Sequence, residues 1–508
     1  MTQGTVHATQ ALKEKHSARK MKNIPAALPV LLSLLSGCAM VGPDYQTPAP
    51  VSSDGWFQLG AGREVAHAGS AGDLSQWWRA FNDPLLSELV EQSLRSSPDI
   101  RSAQARLRES RARRAVAAAG LYPELTASAD ARRSKSSEET GGGTARNTFS
   151  AGFDASWELD VFGGTRRSIE AANADLESSE AGLYDTRVSL AAEVALNYIE
   201  LRTFQMRLKI ARDNLASQAE TLQLTEWRAQ AGLVGSQDVE QARANYEQTR
   251  AQIPSLERSF AEAEHRLSIL LGRLPGSLYG QLEPPASLPS APASVAVGIP
   301  ADTLRQRPDV RSAERRLAAE TARVGAAEAA RYPSFSLSGS IGLEALTFSA
   351  LGSGGAGTYS LLAGIGAPIF NAGRLRAQVE IQDAVREQAQ IDYERAMLTA
   401  LDDVENALVA LARSREREQA LAIAAESARN AALLARNQYS AGLIDFQSVL
   451  DTERSVLSIE DSLASTRADG ISALIRLYKA LGGGWTPPEN QSRRGGVSPG
   501  TSDGKEAT

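Results

Sequence analysis

The sequence repeats itself at a distance of 210 residues. The decapeptide PDIRSAQARL at 98–107 returns as PDVRSAERRL at 308–317. Three further pairs keep this order and this spacing: Tyr122-Pro123 with Tyr332-Pro333, Ala231-Gly232-Leu233 with Ala441-Gly442-Leu443, and Leu271-Gly272 with Leu481-Gly482. Four landmarks at one spacing indicate an internal duplication, so the architecture of one copy constrains that of the other.

The N-terminus has the pattern of an export signal. Basic residues between Lys13 and Lys22 precede an apolar run of about a dozen residues, too few for the ~20 that cross a bilayer as a helix. The segment Leu35-Ser36-Gly37-Cys38 resembles a bacterial lipobox. This resemblance implies a mature chain that begins at Cys38 with an N-acyl diacylglycerol lipid, and Ala39 implies the outer membrane. An incidental cysteine beside an ordinary signal is the alternative.

The composition argues against several function classes. Removing 1–37 takes away five basic residues and Glu14, which changes the net charge from −6 to −10 and disfavours a nucleic-acid partner. A single cysteine excludes disulfides and cysteine-based metal sites. His67 and His265 have no ligand spacing, and no nucleophile motif is present, so neither an enzyme nor a bound cofactor other than the lipid is expected.

Each copy contains a pair of segments with strand-like alternation. Strands are predicted at about 122–131 and 148–158 in the first copy, and at about 333–343 and 358–369 in the second. Ten residues is the length of a tilted transmembrane β-strand. The polar or glycine-rich segments 132–147 and 344–357 are predicted to be hairpin loops at the cell surface. The glycines at 352–357 do not open a helix, so a loop is favoured over a phosphate site.

Very long alanine-rich helices follow the strands. The segment from Thr165 to Gln230 has no proline and predicts a helix on the order of 100 Å long. A second long helix is predicted at about 373–440, and a glycine turn and a returning helix follow each. Pro254 is predicted to interrupt the first returning helix. Earlier, Asn82 or Asp83 suits a helix N-cap before Pro84.

These patterns divide the chain into six parts. They are a lipoprotein signal peptide (1–37), a lipidated extended segment (38–84), repeat 1 (85–273), a proline-rich linker (274–300), repeat 2 (301–485) and a disordered tail (486–508). Four strands cannot close a membrane barrel, which needs about eight. Either the strands lie outside a membrane, or several chains share one barrel.

An ordered set of motifs carries a family resemblance. The motifs are Cys38-Ala39-Met40-Val41-Gly42-Pro43-Asp44-Tyr45, Trp78-x-x-Phe81-x-Asp83-Pro84-x-Leu86, Trp157-x-Leu159-Asp160-x-Phe162-Gly163, Arg307-Pro308-Asp309-Val310 and Pro368-Ile369-Phe370-x-x-Gly373-Arg374. With them the mature chain, from Cys38 to about Trp485, resembles the outer membrane factor (TolC-like) family, in its NodT or RND-efflux lipoprotein branch.

The resemblance implies both fold and function. The implied fold is mainly α with a β-barrel portion: two tandem repeats, in a homotrimer with a twelve-strand barrel in outer membrane lipids and a twelve-helix periplasmic barrel. The implied function is the exit duct of a tripartite efflux system for small toxic compounds, with a periplasmic adaptor and an inner-membrane RND-type pump as partners. A non-conducting envelope tether is the alternative, although a tether does not need alternating strands with aromatic faces.

The resemblance also assigns a gate at the periplasmic end. Asp238 and Asp451 correspond to carboxylates that line the constriction, and Tyr439 to a residue that holds the channel closed. Ile444 and Ser448 stand where TolC-type members have an arginine and an acid, so Gln447 and Phe446 are predicted to supply a different closure. The alternatives are a helix-dipole role for Asp238 and a solvated surface position for Asp451.

The turns between the paired helices are the implied adaptor contacts. They comprise Gly232, Leu233, Val234, Gly235 and Ser236, and Gly442, Leu443, Ile444 and Asp445. Helix termination by glycine and N-capping by Ser236 and Asp445 would explain part of this pattern without a partner. Exposed Leu233, Val234, Leu443 and Ile444 would remain unexplained, and apolar tips favour contact with another protein.

Overall fold

The structure is a computed structural model that describes residues 40–49, 56, 66–68, 74–292, 295–297, 304 and 306–485. The predicted signal peptide, the lipidation site Cys38 and the predicted tail lie outside the described residues. The described residues form two compact units. The strand unit contains 40–46, 111–175 and 317–389, and the helix unit contains 47–110, 176–316 and 390–485.

Seven helices of more than ten residues occur in the described part of the chain. They are α1 (Pro84–Ser96), α2 (Pro98–Ala119), α3 (Gly164–Gln230), α4 (Ser236–Leu270), α5 (Pro308–Ala329), α6 (Arg374–Ser440) and α7 (Phe446–Ala480). Short helical turns lie at Leu74–Phe81, Glu138–Gly141, Tyr279–Leu282 and Phe348–Gly352. Among the described residues, no helix has the length and apolar character needed to cross a membrane.

The strand unit contains an antiparallel sheet. Its strands, in spatial order, are β1 (Glu124–Lys135), β2 (Ala145–Leu159), β3 (Ser334–Ala345) and β4 (Gly357–Gly366). The two hairpins have the same register, since Glu124 pairs with Ser156 and, 210 residues on, Ser334 pairs with Gly366. The sheet therefore confirms the two tandem repeats.

The ends of the first hairpin and of the last strand differ from the sequence predictions. The predicted loop at 132–147 is wrong at both ends, because β1 continues to Lys135, which pairs with Ala145. Ladder hydrogen bonds are made by the backbone and do not require apolar side chains, so polar residues stay in the strands. β4 ends at Gly366 rather than at 369, since Pro368 has no N–H group to donate.

The N-terminal segment of the strand unit is held by a buried arginine. Val41 N donates to Phe162 O at 3.2 Å, and Arg167 donates to Val41 O at 3.1 Å and to Asp44 Oδ1 at 2.7 Å. Gly42 has a φ of +90°, and a Cβ there would lie 2.4 Å from Gly325 Cα. Only glycine fits this crossing, which explains the Val-Gly-Pro-Asp motif.

The helix unit is organised around an aromatic and aliphatic core. Trp77 stacks on Tyr478 with ring centroids 5.4 Å apart. Asp83 is the N-cap of α1, as predicted, and its Oδ1 accepts from Leu86 N at 3.0 Å. Its Oδ2 accepts from Tyr198 OH at 2.8 Å, which ties the start of α1 to α3. This contact explains the Asp-Pro motif, because one carboxylate both caps and positions the helix.

The returning helix of the first copy is continuous, so its predicted interruption at Pro254 is wrong. A proline inside a helix removes one hydrogen bond and costs about 3 kcal/mol. Ile253 and Leu256 pack against the apolar core on either side of Pro254. Their burial offsets that cost, and α4 keeps its helical path from Ser236 to Leu270.

Candidate functional site

Two helical hairpins in the helix unit end in matching turns. α3 ends at Gln230 and α6 at Ser440, and each is followed by a glycine with positive φ: Gly232 at 71° and Gly442 at 78°. Leu233 N donates to Arg228 O at 2.8 Å, and Leu443 N donates to Gln438 O at 2.9 Å. Both turns have the hydrogen bonds of a Schellman motif, so the predicted helix termination by glycine is confirmed.

The helices that leave the two turns begin differently. Asp445 caps α7 as predicted, since its Oδ1 accepts from Ser448 N at 3.0 Å and from Ser448 Oγ at 2.7 Å. These hydrogen bonds lower the pKa of Asp445. The predicted cap at Ser236 is wrong, because Gly235 holds the extended cap position and Ser236 is already the first helical residue. A side chain there lies one residue too late to accept from the first turn.

The apolar residues of the turns divide into an exposed and a packed pair. Leu233 and Leu443 are 67% and 74% exposed. Val234 and Ile444 were expected to be exposed with them, and this is wrong: both are half-buried against a small apolar cluster. The members of that cluster are Ala242, Ala435, Tyr439, Phe446, Val449 and Leu450. Ile444 and Val449 occupy the positions of a hydrophobic staple around Asp445, so their burial follows from the cap.

Tyr439 lies at the centre of the contacts between the two hairpins. Its side chain is 1% exposed, and its ring lies 5.8 Å from that of Phe446 in an edge-on arrangement. Its hydroxyl donates to Thr225 Oγ1 at 3.4 Å. The structure therefore brings together Tyr439 and Phe446, two of the five residues that the sequence assigns to a gate.

Arg228 is a residue of this site that the sequence analysis missed. Its guanidinium carbon lies 4.4 Å from the centre of the Tyr439 ring, and its Nη1 donates to Tyr439 O. A guanidinium over an aromatic face is a stabilising cation–π contact. Arg228 thus links the end of α3 to the end of α6. The second turn itself has Ile444 at the position where an arginine was discussed above.

The polar gate residues lie at the start of the returning helices. Gln447 Nε2 donates to Asp451 Oδ1 at 2.9 Å, and both side chains are exposed one helical turn apart on α7. Asp238 is half-buried in the first turn of α4, on the other hairpin. The structure thus joins Gln447 to Asp451 and places Asp238 where a carboxylate complements the positive end of a helix dipole.

Comparison with known proteins agrees with the repeated architecture. The profile of the family described as outer membrane efflux protein matches this chain twice, at 89–273 and 299–483. Nodulation protein T of Rhizobium leguminosarum bv. viciae is 34% identical over 479 residues, 93% of this chain and 96% of that protein. The pyoverdine export outer membrane protein OpmQ of Pseudomonas aeruginosa is 35% identical over 488 residues, 92% of this chain and 98% of that protein.

A solved structure extends this agreement to the fold. The outer-membrane channel OprN superposes with a TM-score of 0.82 at 39% identity, over 88% of this chain and 100% of that one. The matched regions contain both hairpins and all four strands of the sheet. This chain belongs to the outer membrane efflux protein family and is an outer membrane efflux channel.

Proposed function

We propose that three copies of this chain form one exit duct of a tripartite efflux system. The observation that carries the proposal is the sheet of the strand unit, whose outer strands β1 and β4 are exposed along almost their whole length. Unpaired strand edges in hydrocarbon cost several kcal/mol for each backbone group. Pairing β4 of one copy with β1 of the next removes both edges, and three copies supply twelve strands.

The internal repeat specifies how the copies pair. Within one chain β2 pairs with β3 so that Trp157 lies opposite Leu337. Because β4 repeats β2 and β1 repeats β3 at the same offset, the contact between chains should repeat this register. Moving Trp157 forward by 210 residues and Leu337 back by 210 residues places Ala367 opposite Ala127. The same antiparallel register then places Ala363 opposite Ala131. The proposal is therefore specific to single residues.

Disulfide trapping tests this register. The chain has a single native cysteine, Cys38, so introduced pairs are easily identified. Ala363→Cys combined with Ala131→Cys should give covalent dimers and trimers under mild oxidation of the full-length protein in membranes. The matched control, Ala363→Cys with Ala129→Cys, places the thiols diagonally, about 7–8 Å apart, and should cross-link far less. Equal cross-linking of both pairs, or none of the first, would contradict the shared sheet.

The exposed leucines of the hairpin turns are the proposed adaptor contact. Leu233 and Leu443 are large apolar side chains at the ends of both hairpins, each beside a glycine that keeps the turn narrow. With Gly232, Val234, Gly235, Ser236, Gly442, Ile444 and Asp445 they form the surface that a periplasmic adaptor would cover. Val234 and Ile444 are the half-buried members of this surface and pack against the small apolar cluster between the hairpins.

Asp238 and Asp451 are proposed to form rings of carboxylates at the constriction. In a trimer each becomes three like charges, which attract cations. The double variant Asp238→Asn/Asp451→Asn should therefore lose cation preference in planar-bilayer recordings without losing its conductance steps. An unchanged preference would return both residues to roles on the helix surface. Tyr439, Phe446 and Gln447 complete the proposed gate.

The remaining partners and the cargo follow from the resemblance. Cys38 is the proposed site of an N-acyl diacylglycerol anchor, and an inner-membrane RND-type pump is the proposed source of cargo. Relatives are named for export of unlike compounds, among them pyoverdine and toluene. Relatives named for such different cargo support a passive duct with selection made by the pump, and small toxic compounds are the proposed cargo. Mass spectrometry of the N-terminal peptide tests the anchor, since replacing Cys38 by serine should abolish its lipid.

A further inference from the structure

A line of polar side chains is buried near the end of α3. Asn214, Gln218, Thr221 and Thr225 are buried and Arg228 is half-buried, at successive intervals of four, three, four and three residues. This is the spacing of core positions in a coiled coil, where apolar side chains are the rule. These five residues are called the polar seam.

The polar seam contacts the second hairpin of the same chain. Thr221 Oγ1 donates to Glu453 Oε1 at 2.6 Å, and Asn214 Nδ2 donates to Glu460 Oε2 at 3.3 Å, both on α7. Thr225 and Arg228 meet Tyr439 at the end of α6. The contacts of these four residues across the polar seam therefore join one hairpin to the other.

Two residues of this interface have fewer hydrogen-bond partners than their buried polar groups require. Gln218 is 2% exposed, and neither atom of its amide group has a hydrogen-bond partner among the described residues. Glu453 is 5% exposed and accepts a hydrogen bond from the neutral Thr221. Burying such groups costs free energy that contact with water would recover. The contact between α3 and the second hairpin is thus weaker here than an apolar contact of the same shape would be.

The repeated architecture does not require these polar residues. At the corresponding positions of α6, 210 residues further on, the chain has Ala424, Ala428, Ala431, Ala435 and Gln438. The same kind of long helix is therefore built in the second copy with four alanines where the first has asparagine, glutamine and two threonines. Ala431 and Gln438 are exposed, so the two helices differ in packing as well as in sequence at these positions, and helix formation alone does not require the polar residues of α3.

We propose that the polar seam makes the separation of α3 from α6 and α7 depend on pH, with ionisation of Glu453 favouring the separated state. The proposal rests on the proposed function, because a duct closed by its hairpins conducts only when they part. In the separated state water satisfies the amide of Gln218 and the carboxylate of Glu453. The polar seam therefore keeps the closed and separated states close in free energy.

The charges around Glu453 fix the direction of the pH effect. Burial raises the pKa of Glu453, while the hydrogen bond from Thr221 and the charge of Arg436 on α6 oppose that rise. Arg436 also lies 3.9 Å from Glu220 of α3. On α7 itself, Arg454 binds Asn245 of α4, and Glu460 binds Asn214 of α3 and Arg429 of α6.

The closed state consequently binds the Glu453 proton more tightly than the separated state. The advantage of the closed state is complete below the ordinary pKa of 4.5 and is lost as the pH rises through the raised pKa. Raising the pH through this window should open the polar seam, by up to about tenfold per pH unit, the limit for a single proton.

The reactivity of a buried thiol tests both parts of the proposal. Thr225 is fully buried, so iodoacetamide should modify Thr225→Cys in the full-length protein only when the polar seam opens. The modification rate of Thr225→Cys is divided by the modification rate of the exposed Leu233→Cys at each pH from 5 to 8, which gives a reactivity ratio. Peptide mass spectrometry measures the two adducts. The ratio should rise with pH. Adding Glu453→Gln should make it low and constant, whereas Glu426→Gln, at an exposed position of α6, should change nothing.

Three results of this thiol assay would overturn parts of the proposal. A ratio that is constant with pH in the Thr225→Cys protein, or that still rises after Glu453→Gln, overturns the role of Glu453. Gln218→Leu is a second variant, which should lower the ratio at every pH and keep its slope, and a higher ratio overturns the parting surface. Failure of the proposed duct would appear separately, as absent conductance, and would leave this thiol assay readable.

Discussion

Two stretches of α3 pack against α7 with opposite chemistry. Around Ala191, Val194 and Tyr198 the buried residues are mainly apolar, and they share one core with Leu474 and Ile475 of α7. Between Asn214 and Arg228 the buried line is polar and meets Glu453 and Glu460. Apolar burial stabilises without directional requirements, whereas polar burial returns only what its hydrogen bonds supply. We therefore expect the first stretch to hold the two hairpins together and the second to be the part that separates.

Truncation in the apolar stretch should have the largest effect. Leu474 is fully buried in the core, so Leu474→Ala should cost about 2–5 kcal/mol of stability through lost burial and the cavity left behind. The thermal midpoint of the purified full-length protein measures this loss. Leu433→Ala, at an exposed position of α6, is the matched control and should change stability by less than about 0.5 kcal/mol. Similar losses for both would remove the distinction between core and surface.

An apolar substitution in the polar seam should raise stability, the opposite of the loss expected in the apolar stretch. Gln218→Leu removes a buried amide without partners and should stabilise the protein by about 1–3 kcal/mol. The control is Gln223→Leu, on an exposed face of the same helix, which should change the thermal midpoint little. Destabilisation by Gln218→Leu would mean that the polar seam holds the hairpins together as the apolar stretch does.

The smallest effect is expected at the two hairpin turns. Asp445→Ala removes the acceptor for Ser448 N and should speed hydrogen exchange in the first turn of α7. Ser236→Ala should leave exchange in the first turn of α4 unchanged, because Gly235 holds the cap position there. Equal acceleration in both helices would show that the turns are capped alike, against the observed difference.

Local signals made the ends of the helices predictable. Glycine after a long helix and aspartate before the next are read within a few residues, and Gly232, Gly442 and Asp445 adopt the expected roles. The prediction for Ser236 failed because glycine and serine are both common N-cap residues and the two are adjacent here. In the structure Gly235 has the extended backbone of the N-cap, and the helix begins at Ser236. Similarly, the alternation within the strands located the hairpins but not the residues where their ladders stop.

Contacts between the hairpins could not be read from the sequence. Arg228 lies 211 residues from Tyr439, and its counterpart in the second copy is Gln438, so the duplication gave no signal for this pair. The half-burial of Val234 and Ile444 likewise depends on which helices meet at the turns. A polar residue at a core position, such as Gln218, reads as a surface residue until its neighbours are known.

Single-channel recording tests most directly whether the polar seam controls an exit duct. The lipidated full-length protein would be inserted into planar bilayers, unmodified and with Gln218→Leu, beside the control Gln223→Leu. We expect discrete steps of equal size in all three, with the open fraction lowered by Gln218→Leu alone. An open fraction unaffected by Gln218→Leu would contradict the polar seam as the parting surface. Absence of any steps from verified insertions would contradict the duct.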